Sequence, residues 1–221
     1  VVSEEILHNN ISRMAAFARS VGVNLRPHIK THKTPQITRL QIAAGAVGIT
    51  CAKVGEAEVM VHEAGVQDVL IAYPTVGVSK YERLVALMDK ARIIQAVDSL
   101  AAAHLLSRTM SKFDVHMDVS IEVNTGQNRS GVRYGQETVE LAREISRLPN
   151  LHLVGIMTHE GHANSAPPDQ IEAIATKAGE DMVETANAIR AEGIELEIVS
   201  VGSSPAAFYT PRVKGITEMR P

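Results

Sequence analysis

The chain has 221 residues, of which 45 % are hydrophobic and 3 % aromatic, and its formal net charge is −3 at pH 7. This length and apolar content fit a globular protein with one large domain or two small ones. The sequence has no basic stripe with interleaved aromatic residues and no apolar run near the roughly 20 residues of a membrane span, which argues against nucleic-acid and membrane partners. The N-terminal stretch lacks the features of a signal peptide, and the single cysteine, Cys51, excludes an internal disulfide bond. We therefore expect a cytoplasmic protein that acts on small molecules.

In chain order, a first helix is predicted over about residues 3–21, and β-rich stretches then alternate with segments of helical periodicity. The eight predicted strands cover residues 24–30, 47–52, 68–73, 92–97, 115–123, 151–158, 195–201 and 213–219. Eight apolar strands that alternate with helices predict an α/β fold of the closed (β/α)8 TIM type. An open doubly wound sheet is the alternative, but it usually carries a glycine-rich loop after its first strand, and LRPHIKTHK contains no glycine.

The sequence ends at Pro221, directly after the eighth predicted strand, and no eighth helix follows. No linker, low-complexity stretch or second domain is evident. We expect residues 1–221 to form one barrel domain that is truncated before its last helix.

Polar residues collect at the predicted C-terminal ends of the strands, which is where barrel enzymes place their chemistry. The set comprises Lys30, His32 and Lys33, then Asn124, Gln127, Asn128 and Arg129, then His159 and His162, then Gly202, Ser203 and Ser204, and finally Glu218 and Arg220. The set is too polar to be explained by packing alone.

The segment PHIKTHK is the densest part of this set. Strand alternation predicts that Arg26, His28 and Lys30 share one face, with Lys30 at the mouth of the barrel. A lysine held among other cations and away from bulk water has a lowered pKa, and its free amine can form a Schiff base with a carbonyl group. Lys33 is expected to face solvent or a helix end, and Lys53 is an alternative amine. The cluster could also be no more than a solvated basic loop.

The other strand ends each have two interpretations. The GSSP turn can bind a phosphate through backbone N–H groups and serine hydroxyls, or be an ordinary turn. Arg129 can bind a phenolate or carboxylate, or form a surface salt bridge. His159 and His162 can bind a metal, but a pair of histidines at a strand end without a further carboxylate or cysteine ligand is more often a hydrogen-bonding pair.

Seven stretches of the sequence occur in a characteristic order: RPHIKTHKTPQI, GITCAKVGEAEVM, DVLIAYP, EVNTGQNRSGV, THEGH, VSVGSSPAA and GITEMRP. In this combination the chain resembles the D-threonine aldolase / D-serine dehydratase family of pyridoxal 5′-phosphate (PLP) enzymes, which has the alanine-racemase-type barrel of fold type III. The resemblance implies that Lys30 binds PLP, that Arg129 approaches the ring hydroxyl and that His159 lies near the ring. It also implies that Gly202, Ser203 and Ser204 bind the phosphate. Arg220 or Glu218 would face the pyridine nitrogen, and this alternative stays open.

The same resemblance implies a lyase that acts on β-hydroxy D-amino acids, either as a D-threonine-type aldolase or as a D-serine dehydratase. An amino-acid racemase and a non-catalytic PLP-binding protein are the alternatives. The family continues into a C-terminal β-domain that carries the ligands of a divalent metal, Zn or Mn, and completes the partner's active site in a homodimer. Nothing in residues 1–221 matches that domain, so we expect no metal ligands within this chain.

Overall fold

The computed structural model describes residues 2–221. Within that range the α-helices are α1 (Glu4–Val21), α2 (Pro35–Ala43), α3 (Val54–Ala64), α4 (Val78–Met88), α5 (Leu100–Phe113), α6 (Gln136–Ile145) and α7 (Ile171–Ala191). The strands are β1 (Asn24–Leu25), β2 (Ile49–Cys51), β3 (Asp68–Ile71), β4 (Arg92–Val97), β5 (Met117–Asn124), β6 (Val132–Arg133), β7 (Leu151–Thr158), β8 (Ile198–Val201) and β9 (Glu218–Met219). Short 3₁₀ helices cover Ile29–Thr31, Gly161–Ser165 and Thr210–Arg212. No helix in residues 2–221 is long and apolar enough to cross a membrane.

The strands form one parallel sheet in the order β1-β9-β8-β7-β5-β4-β3-β2, with the short β6 paired to β5 beside this path. The two ends of the path also meet. The Val47 N–H donates to the Leu25 carbonyl at 2.9 Å, and the Thr50 N–H donates to the Pro27 carbonyl at 2.9 Å. The sheet therefore curls back on itself, and the predicted TIM-like α/β barrel is confirmed.

Side chains alternate between the inside of the barrel and the layer beneath the helices. Leu70, Ile94 and Met157 belong to a small buried cluster that includes no helical residue. Their strand neighbours, such as Ile93 and Ile156, belong to the main core, which also contains residues of the helices. Because strands of a parallel barrel are covered on both faces, they read as nearly continuous apolar runs in the sequence.

The predicted boundaries are wrong at both ends of the barrel. The first strand covers two residues instead of seven, because Pro27 has no N–H to donate and the chain turns into a 3₁₀ helix at Ile29. The last strand begins at Glu218 and not at residue 213, because a 3₁₀ helix and a tight turn around Gly215 precede it. The short strand β6 was not predicted.

Candidate active site

A cavity of about 280 Å³ opens at the C-terminal ends of the strands. Its lining includes every residue that the sequence analysis assigned to a cofactor site: Lys30, Arg129, His159, Gly202, Ser203, Ser204 and Arg220. These residues come from five separate segments of the chain. Sequence reasoning did not assign His28, Thr31, Glu122 or Asn164 to the site, and these also line the cavity.

Lys30 lies in the 3₁₀ helix Ile29–Thr31 at the open mouth of the cavity. The prediction of an extended strand with Arg26, His28 and Lys30 on one face is therefore wrong at Lys30, since the backbone has already left the sheet. Partial burial lowers the pKa of the Lys30 amine, and the nearby Arg129 and Arg220 cations lower it further, while the Glu56 carboxylate opposes the shift. A larger fraction of this amine is thus uncharged at neutral pH than of an ordinary lysine.

His159 directly follows β7 and forms a short hydrogen bond between its Nδ1 atom and the Gly202 carbonyl, at 2.6 Å. Burial is the main reason why the pKa of His159 falls to about 4. The ring is therefore neutral at pH 7, and the carbonyl partner assigns the proton to Nδ1. The Nε2 atom is left as a hydrogen-bond acceptor.

The turn after β8 offers a polar group that the protein itself does not use. Ser203 is 4 % exposed, and its hydroxyl is buried without a hydrogen-bond partner in the described residues. The Gly202 N–H, in contrast, already donates to the Glu160 carboxylate at 3.0 Å. A buried hydroxyl without a partner is unfavourable, and a bound anion such as a phosphate would satisfy it. The turn thus fits a phosphate group, with Gly202 shaping the turn while its amide is occupied elsewhere.

Arg220 and Glu218 occupy the same strand edge at different depths. Arg220 lines the cavity, donates from Nε to the Ser200 hydroxyl at 2.8 Å, and donates from Nη2 to the Thr158 carbonyl. Glu218 is not part of the cavity lining, and its two oxygens accept hydrogen bonds from the Ser200 hydroxyl and from Arg26 Nε, each at 2.7 Å. Of the two residues, only Arg220 therefore faces the cavity.

Arg129 and Glu122 are neighbours in the lining of the cavity. The Arg129 side chain is half exposed, and its Nη2 atom lies 3.9 Å from Glu122 Oε1. Glu122 is 3 % exposed and accepts a hydrogen bond from the Ser130 hydroxyl at 2.8 Å. Burial raises the pKa of the Glu122 carboxyl. A charged residue inside the apolar stretch VSIEV was the one sequence signal that could have identified it.

The remaining polar residues of the strand ends lie outside the cavity lining. Lys33 pairs with Glu56 at 3.1 Å, as expected for a lysine next to a helix end, and Lys53 precedes α3 outside the cavity lining. The Asn124 side chain accepts from the Gly126 and Asn128 amides, and so stabilises its own loop. His162 does not line the cavity. Residues 2–221 contain no group of three or more potential metal ligands.

Comparisons with known proteins agree with this geometry. The chain is 34 % identical to D-threo-3-hydroxyaspartate dehydratase of Delftia sp. (strain HT23), covering 100 % of this chain and 58 % of that protein. It is 32 % identical to D-threonine aldolase of Arthrobacter sp., covering 96 % of this chain and 56 % of that protein. The crystal structure of D-threonine aldolase from Filomicrobium marinum superimposes with a TM-score of 0.95 at 35 % identity, covering 100 % of this chain and 60 % of that one.

The chain thus spans a little over half the length of these relatives. The resemblance to the D-threonine aldolase / D-serine dehydratase group that the motifs indicated is confirmed. The sequence model of the family described as alanine racemase, N-terminal domain, matches residues 2–221, and the chain belongs to this family.

Proposed function

We propose that this chain is the cofactor-binding barrel of a PLP-dependent lyase that acts on β-hydroxy D-amino acids. The reaction is either retro-aldol cleavage of a D-threonine-type substrate to glycine and an aldehyde, or dehydration of a D-serine-type substrate. The similar proteins, an aldolase and a dehydratase, support this class of reaction. The observation that carries the proposal is that one cavity is lined both by Lys30, whose pKa is lowered, and by Ser203, whose buried hydroxyl has no hydrogen-bond partner in the described part of the chain.

The lining of the cavity suits PLP in charge and in chemistry. Lys30 would bind the aldehyde carbon, and Ser203 and Ser204 would bind the phosphate. Arg220 would donate to the pyridine nitrogen, Arg129 would approach the ring hydroxyl, and His159 would lie beside the ring. Three cationic side chains, Lys30, Arg129 and Arg220, favour a ligand that carries a phosphate dianion and an amino acid that carries a carboxylate.

When bound, the cofactor would supply an electron sink that weakens the bonds at the substrate Cα. Within the chain, Lys30 is suited to move protons, because its lowered pKa leaves part of the amine unprotonated. In a dehydration Lys30 would take the Cα proton. In an aldol cleavage the neutral His159 Nε2 is an acceptor for the β-hydroxyl proton, while the Gly202 carbonyl holds the other ring nitrogen in place. Arg220 stays charged because an arginine does not lose its proton in proteins.

Two further parts of the proposal, a metal and a homodimer, rest on the family resemblance, whereas the cytoplasmic location rests on the composition of the sequence. A divalent metal, Zn or Mn, would have its ligands outside residues 1–221, in a C-terminal β-domain. One of the solved structures similar to this chain is described as a metal-free form of D-threo-3-hydroxyaspartate dehydratase, which supports a metal in that relative. A homodimer and a cytoplasmic location stay predictions.

The test is to supply the purified full-length protein with PLP and Mn²⁺ or Zn²⁺ and to offer D-threonine, D-serine and D-threo-3-hydroxyaspartate separately. Aldehyde and glycine identify an aldolase, whereas an α-keto acid and ammonia identify a dehydratase. Lys30→Ala should abolish both turnover and the visible absorbance of lysine-bound PLP. Lys33→Ala is the matched control, because Lys33 pairs with Glu56 and does not line the cavity.

Other outcomes would replace the proposal. Inversion of the amino acid without cleavage would indicate a racemase. PLP binding at Lys30 with no product from any substrate would indicate a non-catalytic carrier. PLP binding that survives Lys30→Ala would show that the amine is misassigned.

A further inference from the structure

His28 and His32 use their side chains in the same way, although only His28 precedes the cavity lysine. His28 Nδ1 accepts a hydrogen bond from the Lys30 N–H at 3.3 Å, and His32 Nδ1 accepts one from the Thr34 N–H at 3.1 Å. His28 is the residue before the 3₁₀ helix Ile29–Thr31, and Thr34 is the residue before α2. The segment PHIKTHKT therefore contains two histidine side chains that each accept a hydrogen bond from the amide two residues further on, and the first of them, His28, caps the 3₁₀ helix.

The first cap requires a defined protonation state of the ring. An Nδ1 atom that accepts a hydrogen bond carries no proton, so the neutral ring has its proton on Nε2. The surroundings of His28 favour this neutral form: burial is the main reason why the pKa of His28 falls to about 3, and the nearby Lys30 and Arg220 cations lower it further, opposed by the Thr50 backbone. A proton on Nδ1 would turn the acceptor into a donor, and the cap would be lost.

The backbone of His28 is held between both neighbouring strands. Its N–H donates to the Pro221 carbonyl at 3.1 Å, and the residue forms a parallel bridge with Thr50 of β2. The side chain lines the cavity and also an apolar groove beside α1, so it belongs to the wall between them. The point at which the chain leaves the sheet is thus fixed, and the cap decides the direction that it takes next.

We propose that His28 is a positioning residue, which holds Lys30 at the mouth of the cavity by capping the turn in which Lys30 lies. This inference rests on the proposed function in one respect, namely that Lys30 is the amine that binds the cofactor. It assigns to His28 the Nδ1 acceptor role, and no contact with the substrate.

Three substitutions of His28 distinguish the role of Nδ1 from the role of Nε2. His28→Asn keeps an acceptor close to the position of Nδ1, His28→Gln places its amide close to the position of Nε2, and His28→Leu removes both groups. His32→Leu is the matched control. It removes the hydrogen bond that His32 Nδ1 accepts from the Thr34 amide, which is of the same kind but lies away from the cavity lining. Circular dichroism and thermal unfolding check that each variant is folded.

The first measurement uses the protein without cofactor. Hydrogen exchange at the Lys30 amide should be about tenfold faster in His28→Leu and His28→Gln, a factor typical of a lost capping acceptor, and close to wild type in His28→Asn and His32→Leu. The second measurement is the rate of PLP attachment to Lys30 as a function of pH, with the site checked by borohydride trapping and peptide mapping. The rate should fall by about tenfold, with a shifted pH profile, in the variants that lose the acceptor.

The inference is overturned if His28→Gln retains rapid attachment and His28→Asn does not, because His28 would then act through Nε2. It is also overturned if Lys30 exchange is unchanged in a folded His28→Leu protein. If wild-type protein does not attach PLP to Lys30 at all, the proposed function fails. The exchange data still decide whether His28 caps the turn. Should His28→Leu fail to fold, the comparison of His28→Asn with His28→Gln decides both points.

Discussion

Arg26 and Glu218 form a salt bridge of 2.7 Å inside the barrel, where each side chain is only 2 % exposed. The bridge is part of a continuous polar column. Above it, the Ser200 hydroxyl joins Glu218 to Arg220 at the cavity. Below it, Arg26 also contacts Asp68, which belongs to a charged cluster with Arg92. Charged and polar side chains thus connect the cavity to Asp68 and Arg92, although the inside of the barrel also holds the apolar cluster of Leu70, Ile94 and Met157.

Glu218→Gln should lower the free energy of unfolding by about 3 kcal/mol, because it leaves the buried Arg26 with only one carboxylate partner. Urea unfolding measures this loss. Glu144→Gln is the control, since its pair with Arg147 is exposed and is expected to contribute less than about 1 kcal/mol. Equal effects of the two substitutions would mean that the column does not stabilise the barrel.

The column also explains why the sequence left Glu218 and Arg220 as alternatives for the cavity. Residues two apart in a strand share a face, so the alternation rule cannot separate them. They differ in depth, since two residues of strand span about 6.6 Å, which is enough to put the two side chains in different layers of a barrel. The depth of a side chain in the barrel depends on the stagger between neighbouring strands, and a single sequence does not reveal that stagger.

The alternation of strands and helices was predictable because apolar periodicity is a local pattern. The hydrogen-bond partners of the buried acidic residues could not be predicted in this way. Glu160 lies in the motif THEGH, where only the histidines were considered, and its contact with the Gly202 amide joins segments 42 residues apart. The end of the first strand was missed for a local reason: Pro27 removes a sheet donor, and the His28 side chain then caps the following turn.

Gly202→Ala should disturb the cavity through the backbone of Arg220. An added Cβ at Gly202 would lie 2.5 Å from the Arg220 carbonyl oxygen, which is too close for a carbon and an oxygen atom that are not bonded, so the backbone would have to move. We expect a loss of about 1 to 3 kcal/mol in unfolding free energy and weaker PLP binding. Gly55→Ala is the control, because its Cβ would have ordinary contacts near the start of α3 and should be neutral or stabilising. Unaltered PLP affinity in Gly202→Ala would contradict the close approach.

Ser203→Ala tests the fit of the turn to a phosphate. Without ligand, the substitution should cost little stability, because the hydroxyl that it removes has no partner in the described residues. The affinity for PLP should fall by about tenfold, as expected for the loss of a hydrogen bond to a charged group. Fluorescence titration with PLP and with pyridoxal, which lacks the phosphate, measures both affinities. A similar loss of affinity for pyridoxal would mean that Ser203 does not contact the phosphate. Ser146→Ala, on the exposed end of α6, controls for the serine substitution itself.

The two neutral histidines of the cavity should make the stability of the protein depend on pH. The folded protein has a pKa of about 3 at His28 and about 4 at His159, and both lie below the reference value of 6.5. As the pH falls below 6.5, the unfolded chain takes up protons that the native protein does not, so the free energy of unfolding decreases through this window. The loss is complete only below the folded pKa values, where carboxyl groups also titrate, so urea unfolding is best compared between about pH 7 and pH 5. His159→Gln should flatten the decrease, and His104→Gln, on the exposed face of α5, controls for the substitution of a histidine itself. If His159→Gln gives the same slope as the wild-type protein, the buried neutral state of His159 is not the source of the pH dependence.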